Sequence, residues 1–269
     1  MNHQVTVAIG GLPITIRSSS REFIAMLKAR YANFILTSQT RSRCHASIQL
    51  DMDIVPPSPI SADEDLRVSY ESGGWTMRRG DFLAYFDPAG ERGTVRQSAN
   101  PYSIDSVIRI IHSLVLAQNR AGFLLHSASA IREGRALLFS GVSGAGKTTI
   151  ARLAPPDAAL LTDEISYVRR LDSGYYAFGT PFAGELGTAG HNVAAPIGAL
   201  YLLAKGPHHR IRPLLPSLAA QKLLRNVLFF GEDRTMVETL FGLTCDFIAR
   251  VPVFELTFKP EPAVWELIA

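Results

Sequence analysis

Eight consecutive residues, Gly-Val-Ser-Gly-Ala-Gly-Lys-Thr from Gly141 to Thr148, have the types and spacing to hold a chain of phosphates. Gly141, Gly146, Lys147 and Thr148 match every fixed position of the pattern G-x-x-x-x-G-K-[ST]. Glycines let a backbone wrap a polyphosphate with successive N–H groups turned inward, and a helix starting at the end of the wrap adds partial positive charge. In that reading Gly141, Ser143, Gly144, Ala145 and Gly146, with Thr149 just beyond, form the cradle. Lys147 reaches the β- and γ-phosphates, and the Thr148 hydroxyl sits on Mg²⁺. The expected ligand is a nucleoside triphosphate, ATP with Mg²⁺, although no purine-reading motif separates ATP from GTP. The bland alternative is a glycine turn that merely opens a helix.

A second group of candidates follows. Asp163 and Glu164 end the first apolar run after the glycine stretch, where ligands of α/β sheets collect. One carboxylate can hold Mg²⁺ and the other can take the proton of an attacking hydroxyl; the alternative is a solvated acidic turn. His126 lies on the run preceding the glycine-loop strand, either beside the γ-phosphate or as a core histidine satisfied by carbonyls. The segment from Gly179 to Gly190, with Glu185 and neighbouring His191, is either a loop that closes over an acceptor or a plain connection. Lys222, Arg225 and Arg234 offer a transition-state cation, or only a solvated helix face.

The elements that must position these groups can be read from periodicity. Residues 136–139 form a short strand before the loop and 148–153 the first turns of a helix, which Pro155-Pro156 stops early. Residues 124–130 and 136–139 flank Arg-Glu-Gly-Arg, so the loop strand is the second arm of a hairpin. Asn100-Pro101 opens a helix carrying Ile104, Val107, Ile108, Ile111 and Val115, with Gly122 at its stop. Further strands are expected at 158–161, 197–203 and 253–258, and helices around 223–228 and 236–247. His208, His209, Arg210 and Arg212 read as a local basic loop.

Residues 1–98 read as a small α+β domain: a hairpin around Gly10-Gly11, a helix capped by Ser20 and running to Phe34, a strand at 46–50, a loop at 56–59, and a meander at 68–70, 75–77 and 82–86. Nothing in this half carries recognisable chemistry, and a recognition role is its expected use. Residues 99–269 form the second domain.

The chain has 269 residues, 47% hydrophobic and 19% charged, with a net charge of +3. That is an ordinary globular composition, and the charge points away from nucleic-acid binding. Cys44 and Cys245 fit no metal or redox spacing and read as free thiols. The N-terminus lacks a signal-peptide pattern and no stretch is long enough to span a membrane, so a cytoplasmic location is expected.

From about residue 104 to 258 the sequence resembles the HPr kinase/phosphorylase superfamily, and more closely the HPr-kinase-related proteins found with peptide-modification gene sets, including lasso-peptide serine kinases. The matching residues are Leu125-His126, the Gly141–Thr148 stretch, Leu-Leu-Thr before Asp163-Glu164, Gly-Thr-Pro-Phe-Ala-Gly from Gly179 to Gly184, and Val-Pro-Val-Phe-Glu-Leu from Val251 to Leu256. The resemblance implies an α/β fold, a P-loop kinase core of HPr kinase/phosphoenolpyruvate carboxykinase type. It also implies ATP- and Mg²⁺-dependent phosphorylation of a serine hydroxyl on a peptide or protein, and it allows a homo-oligomer. By position, Asp163 stands for the catalytic base, Glu164 for its acidic neighbour, and His126 for the histidine near the phosphates. Thr148, Asp163 and Glu164 stand where Mg²⁺ is held. Two departures, Asp-Glu for the usual Asp-Asp and no arginine-glycine signature, point away from HPr as acceptor and from phosphorylase activity. Two alternatives remain open on the residues: a kinase of free serine or another small metabolite, and a nucleotide-dependent binding module with slow ATP hydrolysis.

Overall fold

The computed structural model describes residues 2–36, 47–57, 64–187, 190–231 and 233–268, a mixed α/β chain with two sheets. It divides into two compact units, Met1–Val115 with Phe229–Met236, and Leu116–Leu228 with Val237–Ala269.

The first unit holds strands β1 (His3–Ile9), β2 (Leu12–Ser18), β3 (Ile48–Ile54), β4 (Arg67–Glu71), β5 (Gly74–Arg79), β6 (Phe82–Asp87) and β7 (Arg92–Gln97). They lie in the order β1-β2-β3-β7-β6-β5-β4. Gly10 and Gly11, at φ 59° and 79°, make the two-residue turn between β1 and β2, a conformation that fits the twist of paired strands. Helix α1 (Arg21–Arg30) is capped by Ser20, whose Oγ accepts the Phe23 N–H at 3.1 Å. It buries Phe23, Ile24 and Leu27 against β1 and β2. The helix expected through Phe34 ends at Arg30 instead, and a 3₁₀ turn, Ala32–Phe34, brings Phe34 into the core. Strand β7 was not expected because its inward positions are Gly93, Val95 and Gln97, only one of them strongly apolar.

Helix α2 (Pro101–Gln118) starts where Asn100 Oδ1 accepts the N–H groups of Tyr102 and Ser103, as the Asn-Pro pair implies. The boundary read from sequence at 98/99 lies ahead of this helix, whereas the compact unit continues to Val115. A buried polar anchor accounts for the difference. Asp105, only 4% exposed, accepts hydrogen bonds from the Arg30 guanidinium and the Tyr31 hydroxyl. Burial, reinforced by the Asp105 carboxylate, pushes the Tyr31 phenol well above its ordinary range. Cys44 lies outside the described residues, as do positions 46, 58 and 59 of the expected strand and loop; Cys245 is a free, exposed thiol.

The second unit holds β8 (Gly122–Arg132), β9 (Arg135–Ser140), helix α3 (Lys147–Arg152), β10 (Ala159–Thr162), β11 (Ile165–Leu171), β12 (Gly174–Phe178), β13 (Ala194–Lys205), β14 (Arg210–Pro213), helices α4 (Pro216–Leu224) and α5 (Arg234–Arg250), and β15 (Val253–Phe258). Gly122 opens β8 rather than ending α2. The hairpin of β8 and β9 turns on Glu133 and Gly134, at φ 50° and 74°. Strands β8 and β13 are long and change partners along their length, so β8, β11, β12, β13 and β9 form a closed circuit of pairings. β9, β13 and β15 run parallel at its side. Three strands depart from the sequence reading: β11, β12, and β14 within the stretch read as a basic loop.

Helix α3 packs its Ile150 and Ala151 into a core with Phe139, Tyr201, Leu256 and Trp265. Trp265 Nε1 donates to the Ile150 carbonyl at 3.1 Å, taking one of the carbonyls that a six-residue helix leaves open. The glycine loop therefore sits between a parallel strand and a helix that are both anchored in the core.

Candidate functional site

The loop between β9 and α3 has the backbone its glycines permit. Gly144 and Gly146 lie at φ 72° and 108°, in the left-handed region. A Cβ on Gly146 would stand 2.8 Å from the Phe258 ring, and one on Gly141 would stand 2.8 Å from the Ala145 side chain. The loop is thus close-packed from behind and open in front. Lys147, 8% exposed, donates from Nζ to the carbonyls of Gly141 at 2.8 Å and Val142 at 3.3 Å. Burial lowers the pKa of its amine, and the nearby charge of Glu185 works against that shift.

The acidic pair lies in the tight connection between β10 and β11. Thr162 Oγ1 accepts the N–H groups of Glu164 and Ile165 at 3.3 Å, and Thr180 donates to the Ile165 carbonyl at 2.8 Å. The Glu164 carbonyl accepts the Ser127 N–H at 3.0 Å, which ties the corner to β8. The acidic turn is therefore part of the core architecture. Asp163 is 3% exposed, and both of its carboxylate oxygens accept backbone N–H groups: Oδ1 from Gly184 at 2.9 Å and Oδ2 from Leu186 at 2.8 Å. A carboxylate oxygen has two lone pairs, so each keeps acceptor capacity beyond these bonds.

His126 stands opposite Ile165 in the register of β8 and β11. Its N–H donates to the Asn226 carbonyl at 2.8 Å and its carbonyl accepts the Ser140 hydroxyl at 2.9 Å. The end of β9 is thereby fastened to the strand that carries the histidine.

These elements meet around one cleft of about 510 Å³. Among the residues singled out from sequence, His126, Ser143, Gly144, Gly146, Lys147, Thr148, Thr149, Asp163 and Glu164 all line it. Gly141 and Ala145 do not; they build the loop from behind. Ala183, Gly184 and Glu185 close another wall. Sequence analysis left the 179–190 segment open between a lid and a connection. Its first part is buried, with Thr180 fully enclosed and Phe182 1% exposed, and only Glu185 and Gly187 reach well into solvent among its described residues up to 187. The signal for its role was the density of glycines: Gly179, Gly184 and Gly190 each pass a backbone or carboxylate too closely for a Cβ.

The basic residues do not gather. Lys222 and Arg212 both bind Glu255, Arg225 is exposed, and Arg234 falls in the first unit. Among the described residues no group of three His, Cys, Asp or Glu side chains could hold a metal by itself, and no helix is long and apolar enough to cross a membrane. Mg²⁺ characteristically takes one or two protein oxygens and completes its shell with phosphate and water, a demand that Thr148 and Glu164 fit.

A family model described as SynChlorMet cassette protein ScmC matches residues 95–269. No curated protein matches the chain. Among solved structures, one described as the Hpr(Ser) kinase/phosphatase from Coxiella burnetii aligns at 10% identity and a TM-score of 0.32, over 54% of this chain and 87% of that one, a likeness too slight to carry an argument.

Proposed function

The chain belongs to the SynChlorMet cassette protein ScmC family, and from that premise and the cleft around Lys147 we propose that it is a kinase that transfers the γ-phosphoryl group of ATP, with Mg²⁺, to a serine hydroxyl of a peptide or protein. One observation carries the reading. A glycine loop ending in Lys147-Thr148 and the Asp163-Glu164 corner, separate in sequence, line the same cleft.

The loop N–H groups cradle the phosphates, and the Lys147 amine leaves the Gly141 and Val142 carbonyls to pair with them. The Thr148 hydroxyl and the Glu164 carboxylate would hold Mg²⁺, whose positive charge would stabilise the transferring phosphoryl group. Asp163 accepts the proton of the serine hydroxyl as its oxygen bonds to the γ-phosphorus and the bond to the β–γ bridging oxygen breaks. His126 donates a hydrogen bond to the phosphates. Positioning and electrostatics supply nearly all of the acceleration in such a transfer. The first unit serves recognition, and the protein acts in the cytoplasm.

Intact-mass spectrometry tests this, using the purified chain with ATP and Mg²⁺ and three acceptors: a peptide encoded beside the gene, HPr, and free serine. The proposal expects one added phosphate on the peptide, and none with Lys147→Ala. Phosphorylation of free serine alone would replace the peptide acceptor with a small molecule. Steady ATP consumption with no phosphorylated acceptor would replace transfer with a nucleotide switch.

A further inference from the structure

Ile165 is the residue at which the Asp163-Glu164 corner becomes strand β11. It stands opposite His126 of β8, yet the His126 N–H goes to the Asn226 carbonyl, whereas the Ser127 N–H one position on bonds to the Glu164 carbonyl. Bonded and unbonded pairs alternate along an antiparallel ladder, so Ile165 turns its N–H and carbonyl away from β8. Strand β12 does not reach them, because its pairing with β11 begins only at Tyr167 opposite Phe178.

Two threonines stand where that strand would have been. Thr162 Oγ1 accepts the Ile165 N–H at 3.3 Å, and the Thr180 hydroxyl donates to the Ile165 carbonyl at 2.8 Å. Thr162 Oγ1 also accepts the Glu164 N–H at 3.3 Å and offers the Thr180 hydroxyl a second acceptor at 3.2 Å. Thr162 and Thr180 are 1% and 0% exposed, so water does not take over a bond that is lost there. Asp163 and Glu164 thus project from a backbone fixed by hydroxyl groups at both ends.

Thr180 is itself held rigidly. Gly179 passes the His191 carbonyl so closely that a Cβ would stand 1.9 Å from it, and Phe182, 1% exposed, anchors the chain two residues on. Pro181 disfavours a helical backbone at Thr180. The Thr180 carbonyl accepts the Gly190 N–H at 3.1 Å. The Gly-Thr-Pro-Phe stretch therefore presents one hydroxyl, from a fixed place, to the corner that carries both acids.

We infer that Thr180 is a positioning residue for phosphoryl transfer: its hydroxyl, through the Ile165 carbonyl and Thr162, sets the backbone from which Asp163 and Glu164 reach the reacting groups. The inference rests on the kinase reading above. Loosening the corner displaces both carboxylates together, and a misplacement of about 1 Å can slow a positioned reaction about a hundredfold. The glycine loop that cradles the phosphates is untouched by it.

The test combines steady-state kinetics on the phosphorylated peptide with amide hydrogen exchange. Thr180→Val keeps the shape and removes the hydroxyl; the pair Thr180→Ser and Thr180→Ala repeats the comparison with less crowding. Thr244→Val is the control, because Thr244 is equally buried and its hydroxyl donates to the Leu240 carbonyl at 2.8 Å within α5. Thr180→Val and Thr180→Ala are expected to lower kcat about tenfold or more while leaving the KM for ATP within about twofold, and Thr180→Ser to stay within about threefold of the parent. Exchange at the Glu164 and Ile165 amides should accelerate in Thr180→Val and Thr180→Ala alone. Thr244→Val should lower the melting temperature by a similar amount with neither effect. A parent-like kcat without the Thr180 hydroxyl, an equal fall in Thr244→Val, no rescue by serine, or unmoved exchange at Glu164 and Ile165 would each overturn the inference while leaving the kinase reading in place. A parent chain that transfers no phosphate would overturn that reading and this inference with it.

Discussion

The Asp163 carboxylate holds the backbone N–H of Gly184 at 2.9 Å, so close that a Cβ on Gly184 would stand 2.8 Å from Asp163 Oδ2. The acid proposed as base is therefore also the peg on which the 183–187 segment hangs. Its two duties can be separated by substitution.

Asp163→Asn keeps the shape but turns one acceptor into a donor facing a backbone N–H. Acceptor phosphorylation should fall by about 100-fold or more, the scale of a lost general base. Amide hydrogen exchange at Gly184 and Leu186 should accelerate at the same time. Lys147→Ala should abolish transfer without changing exchange at those two amides. Unchanged exchange in Asp163→Asn would mean that the peg is not needed to hold the loop.

Gly184→Ala should disturb the site while Gly187→Ala should not. The first forces the loop off Asp163, at a cost of about 1–3 kcal/mol for overpacking. The second meets open space and carries only the strain of a left-handed alanine at φ 69°, about 1 kcal/mol. Thermal melts compare the stability costs, and steady-state kinetics should show a fall in kcat for Gly184→Ala alone.

Gly146→Ala should abolish nucleotide binding, because the added carbon meets both an unfavourable φ and the Phe258 ring. Lys147→Met retains the buried stem and removes the charge. Titration calorimetry should then show ATP affinity reduced by about tenfold to a hundredfold, on the scale of one to two charge-assisted hydrogen bonds. An unchanged affinity in Lys147→Met would remove Lys147 from the phosphate site.

Glu255 gives a pH prediction. The Lys222 hydrogen bond, with Arg212 adding to it against the opposing effect of burial, holds its carboxyl below the usual range. Its stabilising contribution is present above the unfolded carboxyl pKa, near about 4.3, and is lost as the pH falls through the lower folded value. Glu255→Gln should cost about 1–2 kcal/mol at neutral pH, a figure reduced for the exposure of both cations. The difference in melting temperature from the parent should close as the pH falls below about 4.3 and through the lower folded value.

The fold was legible where one periodicity or one punctuation mark dominates. Asn100-Pro101 marked the start of α2, and Glu133-Gly134 marked the β8–β9 turn, because capping and left-handed turns depend on local chemistry alone. Strand β11 was missed because Asp163-Glu164 read as an ending, whereas the chain turns there and pairs at once with β8. Strand β7 was missed because its inward glycine and glutamine are set by tertiary packing. In the site, the glycine loop and the acidic pair were readable as motifs, and both line one cleft. What no motif could show is that the Asp163 oxygens accept from Gly184 and Leu186, since that depends on a loop folding back from more than twenty residues downstream.

The neck of the 179–190 segment has a consequence for how this chain can change. A Cβ on Gly179 would fall 1.9 Å from the His191 carbonyl, and one on Gly190 would fall 1.7 Å from the Leu161 carbonyl. The Gly190 N–H also closes onto the Thr180 carbonyl at 3.1 Å. The segment is thus cinched at its base and pegged to Asp163 at Gly184 and Leu186. Glu185, exposed between the two pegs, can then be exchanged with little penalty to the body, because surface substitutions away from packed groups cost little. An exchange there changes the exposed rim of the cleft while leaving the glycine loop and the Asp163-Glu164 corner untouched.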